Sequence, residues 1–156
     1  MSDRHRAHWP PGLPKHLTLP ETNVYYNAVV SAARFPHKPF IVFYDTAITF
    51  RQFHEETERI AGYLQQVCGV KAGDRVLLYM QNSPQWMLAY YGILRANAVV
   101  VPVNPMNRSA ELAHYVHDSG ATTMFLPQDL YAEAAPLVGT GGDEGLAHLI
   151  VAAYSD

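Results

Sequence analysis

One cysteine, Cys68, in a chain of 156 residues leaves no partner for an internal disulfide. That excludes a disulfide-stapled scaffold and fits a reducing compartment. Long apolar runs are missing as well. A membrane-spanning helix needs ~20 apolar residues in a row. The best stretch, Met87 to Val103, is interrupted by Arg95, Asn97 and Pro102. The N-terminal MSDRHRAHWPPGLPKH has no apolar segment of the kind a secretory signal carries. Charge is sparse at 16% of residues, with a net charge of −3 and no basic surplus for nucleic acid. The expectation is a cytoplasmic protein with no nucleic-acid partner and no membrane span. Lysine is confined to Lys15, Lys38 and Lys71, in the N-terminal segment or in loops flanked by proline or glycine.

Apolar residues are plentiful, at 49%, enough to bury a core in a chain of single-domain length. Residues 1–20 carry Pro10, Pro11, Pro14 and Pro20. Each proline removes a donor and restricts its predecessor, so an extended proline-rich arm is expected here, with residues 21–156 forming the folded unit. Asn23 can cap a helix in which Val24, Ala28, Val29, Ala32 and Phe35 recur at helical spacing, with Pro36 as its stop. Phe40 to Tyr44 reads as a strand, Asp45-Thr46 as a turn, and Ala47 to Thr49 as a returning strand. Thr49 and Gln52 form a capping-box pair at the head of a helix. Phe50, Phe53, Thr57, Ile60, Leu64 and Val67 share one face of it. Glu55 and Arg59 lie i,i+4 on the wet side, and Gly69 stands where a left-handed C-cap is expected.

Arg75 to Met80 and Val99 to Val103 have the length and composition of buried strands. Between them Asn82 or Ser83 caps a helix with Pro84 in its first turn and Gln85 placed for a capping box. Trp86 to Leu94 is apolar on nearly every side, so this helix is expected to be buried, with Trp86, Leu88, Tyr91 and Leu94 in the core. Such a strand–helix–strand unit joins parallel strands with a right-handed crossover. Ser109 opens a further helix with Leu112, Tyr115 and Val116 on one face and Gly120 at its end. Thr122 to Leu126 is a strand ended by Pro127, Leu130 to Val138 a weak helix, and His148 to Ala152 a last strand. The alternation predicts an α/β fold: a mostly parallel sheet flanked by helices.

Few residues point to chemistry. GTGGDEG, Gly139 to Gly145, lacks the lysine and hydroxyl residue of a phosphate loop, and Asp143 and Glu144 would repel a phosphate. It reads as a flexible surface loop. His114 and His117 lie i,i+3 beside Asp118, without further ligands nearby for a metal. His54-Glu55-Glu56-Thr57 is not a zinc helix motif, because position 58 is Glu. His5 and His8 belong to the arm. Cys68 sits at a helix C-terminus, whose dipole raises a thiol pKa and opposes nucleophilic use. No catalytic, cofactor-binding or metal residue emerges.

One resemblance goes further. Ile48 to Ala121 contains TFRQF at Thr49–Phe53, GVKAGDRV at Gly69–Val76 and NSPQW at Asn82–Trp86. It continues with VVVPVNP at Val99–Pro105, EL at Glu111-Leu112 and DSGA at Asp118–Ala121. In this order and spacing the segment resembles the N-terminal region of AMP-forming acyl-CoA synthetases, the adenylate-forming superfamily. The arm, HWPPGLPKHLTLPETNVYYN, is similar to the long- and medium-chain fatty-acid branch. The resemblance implies the N-terminal subdomain of that α/β fold. For a full-length member it also implies formation of acyl-AMP from a carboxylate, ATP and Mg²⁺, then transfer of the acyl group to coenzyme A. The family's phosphate loop, its acidic residues and its C-terminal lysine lie beyond the region matched. No TSGTTGxPKG-like, YGxTE or YxTGD segment is present in this chain. In the acetyl-CoA synthetase branch the loop after the strand matching Thr122–Leu126 supplies arginines toward coenzyme A. Here that loop, PQDLYAEA, has none, so no coenzyme A site is carried over. The expectation is a fatty-acid–CoA ligase N-terminal fragment, inactive alone, whose partner is the rest of the adenylating enzyme. A homodimer through the arm is a further expectation. A non-catalytic binding or dimerisation module with the same fold stays open as the alternative.

Overall fold

In the computed structural model residues 4–139 and 145–154 are described. Residues 140–144 of the GTGGDEG segment, Asp143 and Glu144 among them, lie outside that range. The described residues begin with a 3-10 turn, Arg4–His8, where an extended arm is expected. All four prolines follow His8, so their restrictions do not reach the turn, and Pro10 disfavours helix only from Trp9 onward. Arg6 reaches His16 Nε2 at 3.4 Å, folding the segment back on itself.

Helix α1, Tyr25–Arg34, has Asn23 at its head: its Oδ1 accepts from the Tyr26 amide at 3.1 Å. Strands β1, Pro39–Phe43, and β2, Thr46–Thr49, pair antiparallel around a tip at Tyr44-Asp45, one residue earlier than expected. Helix α2, Phe50–Gln66, begins with the Thr49–Gln52 capping box, and Gly69 takes a left-handed φ of 69° just beyond its end. Arg59 pairs with Glu56 rather than Glu55. Positions i and i+3 are also neighbours on a helix, and here that geometry wins.

Strands β3, Arg75–Tyr79, β4, Val99–Val103, β5, Thr123–Pro127, and β6, His148–Ala152, form one parallel sheet in the order β4-β3-β5-β6. The central strands are continuous apolar runs because both faces are covered. Successive side chains alternate between the faces. Val76, Leu78 and Phe125 meet α2 and helix α3, Pro84–Arg95, through Leu64, Ala89 and Ile93. Leu77, Tyr79, Met124 and Leu126 meet helix α4, Ser109–Ser119, through Leu112 and Val116.

Two expectations change at α3. Ser83, not Asn82, is the N-cap and accepts from the Trp86 amide at 3.1 Å. The third helical position is then Trp86, so Gln85 cannot close a capping box. The helix is also sandwiched rather than engulfed. Ala89 and Ile93 face the sheet and are buried. Trp86, Leu88, Tyr91 and Leu94 are half-buried, the last three packed toward Tyr25 and Phe53 in a cluster shared with the hairpin. Two layers cover two sides of the helix, and its large side chains straddle the margins.

Further along, Leu130 to Val138 is broken into a 3-10 turn, a single-turn helix α5, Tyr131–Ala134, and a second 3-10 turn, Ala135–Leu137. Pro136 lacks the amide that a continuing α-helix would use.

Candidate functional site

Because all four strands of the sheet are parallel, their C-terminal ends and following loops gather along one edge. In open α/β sheets that edge is where ligands bind. After β3, Met80 is buried while Gln81 and Asn82 are exposed, and Ser83 turns the chain into α3. After β4, Asn104 Oδ1 accepts from the Met106 amide at 3.0 Å. The loop is anchored by the buried Tyr79, whose hydroxyl donates to the Asn107 carbonyl at 2.6 Å. Burial pushes that hydroxyl's pKa up. After β6, Tyr154 reaches back toward the Gln81 backbone, and burial raises its pKa too.

Between this edge and the β1–β2 hairpin lies an open cleft of about 500 Å³. Ile41, Phe43, Tyr44 and Ile48 form its apolar wall, and Gln81, Asn82, Ser83 and Tyr154 line the opposite side. Among the described residues no Lys, Arg, His, Asp or Glu lines it. Amides and hydroxyls can orient a neutral surface or a peptide group. They supply neither a base of suitable pKa nor a positive charge for a phosphate.

A partly buried polar cluster sits elsewhere, between helices. Tyr25, only 4% exposed, donates its hydroxyl to Glu58 Oε1 at 2.8 Å and lies 2.8 Å from His54 Nδ1. Arg95 Nε donates to the same carboxylate oxygen at 2.6 Å, and its guanidinium lies 5.9 Å from the Tyr25 ring centre. A phenol has one proton and a carboxylate only accepts, so His54 Nδ1 must be the protonated nitrogen facing Tyr25. Burial above all pushes Tyr25 up to about 12. Hydrogen bonding from Arg95 first, aided by Tyr25, holds Glu58 below the usual carboxylate range. The cluster ties α1, α2 and α3 together; only its His54 lines a shallow depression, with Val29, Ala32, Ala33, Pro36 and Arg51. Sequence reading passed over it because its members are separated by 29, 33 and 37 positions, beyond any local spacing rule.

Other sequence candidates fall apart in three dimensions. His114 and His117 lie on the exposed face of α4, where His114 leans on Tyr115 at 5.9 Å. No group of three potential metal ligands forms among the described residues. His54 belongs to the tyrosine cluster, and His8 lies in the N-terminal 3-10 turn. Cys68 is buried, and burial raises its pKa, in the direction expected. Ser109 does not cap α4. Its amide and hydroxyl both donate to Glu133 Oε2, at 3.0 and 2.8 Å, and Arg108 donates to the other oxygen at 2.9 Å. Those donors, Ser109 first, lower the Glu133 pKa. No helix among the described residues is long and apolar enough to cross a membrane.

Comparison with known proteins gives this arrangement a setting. Residues 29–152 match the family described as AMP-binding enzyme. A long-chain-fatty-acid–CoA ligase of Escherichia coli O6:H1 is 44% identical over 96 residues, covering 62% of this chain and 17% of the relative. One of Bacillus subtilis is 34% identical over 129 residues, covering 82% and 23%. The chain thus spans about a fifth of the length of these curated relatives. Among solved structures, a long-chain-fatty-acid–CoA ligase of Archaeoglobus fulgidus superposes with a TM-score of 0.75 at 26% identity, over 87% of this chain and 28% of that one. The N-terminal domain of a Mycobacterium tuberculosis protein superposes with 0.75 at 25% identity, over 83% and 33%.

Proposed function

This chain belongs to the AMP-binding enzyme family and is homologous to the N-terminal region of fatty-acid–CoA ligases, and we propose that it serves as the scaffold part of such a ligase and catalyses nothing by itself. In the complete enzyme the reaction would be activation of a fatty acid with ATP and magnesium to acyl-AMP, then transfer to coenzyme A. The residues described here do not fit ATP or magnesium. Among the described residues the cleft at the sheet edge carries no cationic side chain, and no acidic cluster of metal-ligand size forms.

The observation that carries this reading is the uncharged lining of that cleft. Adenylation builds up negative charge on phosphate oxygens, and enzymes stabilise it with cations and preorganised donors. Losing one such donor lowers a rate by on the order of 10²–10³. Among the described residues the cleft lining presents none of the cationic members of the set, and Arg108, in the loop after β4, is paired with Glu133. What it presents is a rigid parallel sheet whose loop edge is open for other parts to complete.

The test is pyrophosphate release from ATP and magnesium with fatty acids of several chain lengths. The chain alone is expected to give no turnover above buffer. Turnover that survives repurification and disappears when a residue of this chain is mutated would overturn the proposal. A cytoplasmic location forms part of the same proposal.

A further inference from the structure

We infer that the hairpin face of the cleft, centred on Phe43 and Tyr44, is the docking surface for the polypeptide that follows this region in a complete AMP-binding enzyme. The inference rests on the scaffold reading above and adds where the remainder sits.

The hairpin tip presents apolar side chains to solvent. Tyr44 is 88% and Phe43 36% exposed, and their rings pack edge to face at 4.7 Å. Tyr44 also holds a left-handed φ of 50°, a backbone region that glycine or asparagine occupies far more readily than tyrosine. A bulky aromatic at a disfavoured tip, touching solvent on nearly all sides, contributes little to this fold. Its side chain is placed for contact with something else.

The sheet topology and the relatives' length select the occupant. Strand β6 delivers the chain to Tyr154, which lines the cleft opposite the hairpin. The matched region covers only 17% and 23% of the relatives, so some four-fifths of each lies outside it. Polypeptide following β6 in a relative therefore starts at the rim of this cleft. A short tether gives an effective concentration on the order of millimolar, which a separate second copy does not have at ordinary protein concentrations. The lining matches such an occupant: apolar wall, amides and hydroxyls, no net charge to attract a nucleotide.

The experiment compares this chain alone with a chimera that joins it to the portion of the Bacillus subtilis ligase following the matched region. Tyr44→Cys reports on the surface and Arg59→Cys, on the outer side of α2, serves as the control. Cys68 is buried and its parent chain gives the background labelling rate. Expected is labelling of Tyr44→Cys about tenfold or more slower in the chimera than in the chain alone, as cover by packed polypeptide requires, with Arg59→Cys unchanged. Equal rates at Tyr44→Cys would overturn the inference. So would protection in the chain alone that grows with its concentration, which means a second copy is the occupant, or protection produced by added free fatty acid. Fatty-acid-dependent pyrophosphate release by the chimera separates the two readings. An active chimera with freely labelled Tyr44→Cys sinks the docking surface only, and an inactive chimera with Tyr44→Cys protected sinks the ligase reading only. Should the chimera fail to fold, the chain and the remainder made as separate polypeptides are mixed, and Tyr44→Asp is expected to weaken their association about tenfold or more, equivalent to about 1.4 kcal/mol. Undiminished association would overturn the inference.

Discussion

Gly92 and Ile60 stand where helices α3 and α2 come closest. A Cβ placed on Gly92 would lie 2.8 Å from Ile60 Cβ, with Ile60 Cγ2 nearer still. The absence of a side chain at Gly92 lets the two helices approach.

Gly92→Ala is therefore expected to lower the unfolding midpoint even though alanine is the better helix former. Overpacking a tight contact costs typically 1–3 kcal/mol, against roughly 1 kcal/mol gained in propensity. Ile60→Ala in the Gly92→Ala background should recover part of the loss, which a thermal double-mutant cycle measures. A midpoint that rises in Gly92→Ala would show that the helices can separate freely.

Neighbouring positions on α3 should differ sharply. Ile93 is fully buried against the sheet and Leu94 only half-buried. Ile93→Ala should cost about 2–5 kcal/mol, and Leu94→Ala clearly less. Denaturant titration of both variants checks the order. Equal losses would mean that Leu94 is core after all.

Stability should depend on pH through Glu58. Its folded pKa is lowered, chiefly by the hydrogen bond from Arg95. A depressed carboxylate pKa contributes stability above its unfolded value that is lost as pH falls through the folded value. Glu58 and Arg95 are more than a third exposed, so the pair is worth only about 0.2–1 kcal/mol. Glu58→Gln should thus lower the midpoint modestly at neutral pH and converge with the parent in acid, below the carboxylate range. Tyr25, pushed up to about 12, stays neutral throughout this window. Parallel curves for the two proteins would remove Glu58 from the account.

The N-terminal segment should promote association. Leu13, Leu17 and Leu19 are 57%, 83% and 74% exposed, an apolar series without cover in the single chain. Sizing at increasing concentration is expected to show a dimer that vanishes when residues 1–20 are deleted. Identical monomers would end the idea.

Much of the fold can be read locally, since caps and strand patterns act over a few residues. The Thr49–Gln52 box, the left-handed Gly69 and Gly120, and the parallel pairing of β3 with β4 all follow from short-range spacing. What escapes such reading depends on distant chain. Glu133 takes over the capping that Ser109 is expected to provide because α5 brings it there from 24 positions away. Tyr25 finds Glu58 and Arg95 only after three helices have packed. The half-burial of Trp86 and Tyr91 likewise reflects which layers surround α3, and the apolar pattern of a helix does not contain its neighbours.

The order β4-β3-β5-β6 also imposes a timetable on a chain made from its N-terminus. Strand β3 meets β4 first, as soon as α3 has formed between them. Its other edge stays open until α4 and β5 have been synthesised. During that interval Val76, Leu77 and Leu78 offer an unpaired, apolar template to any extended segment nearby. In that interval the nascent two-strand ribbon is the form with the most unpaired apolar edge.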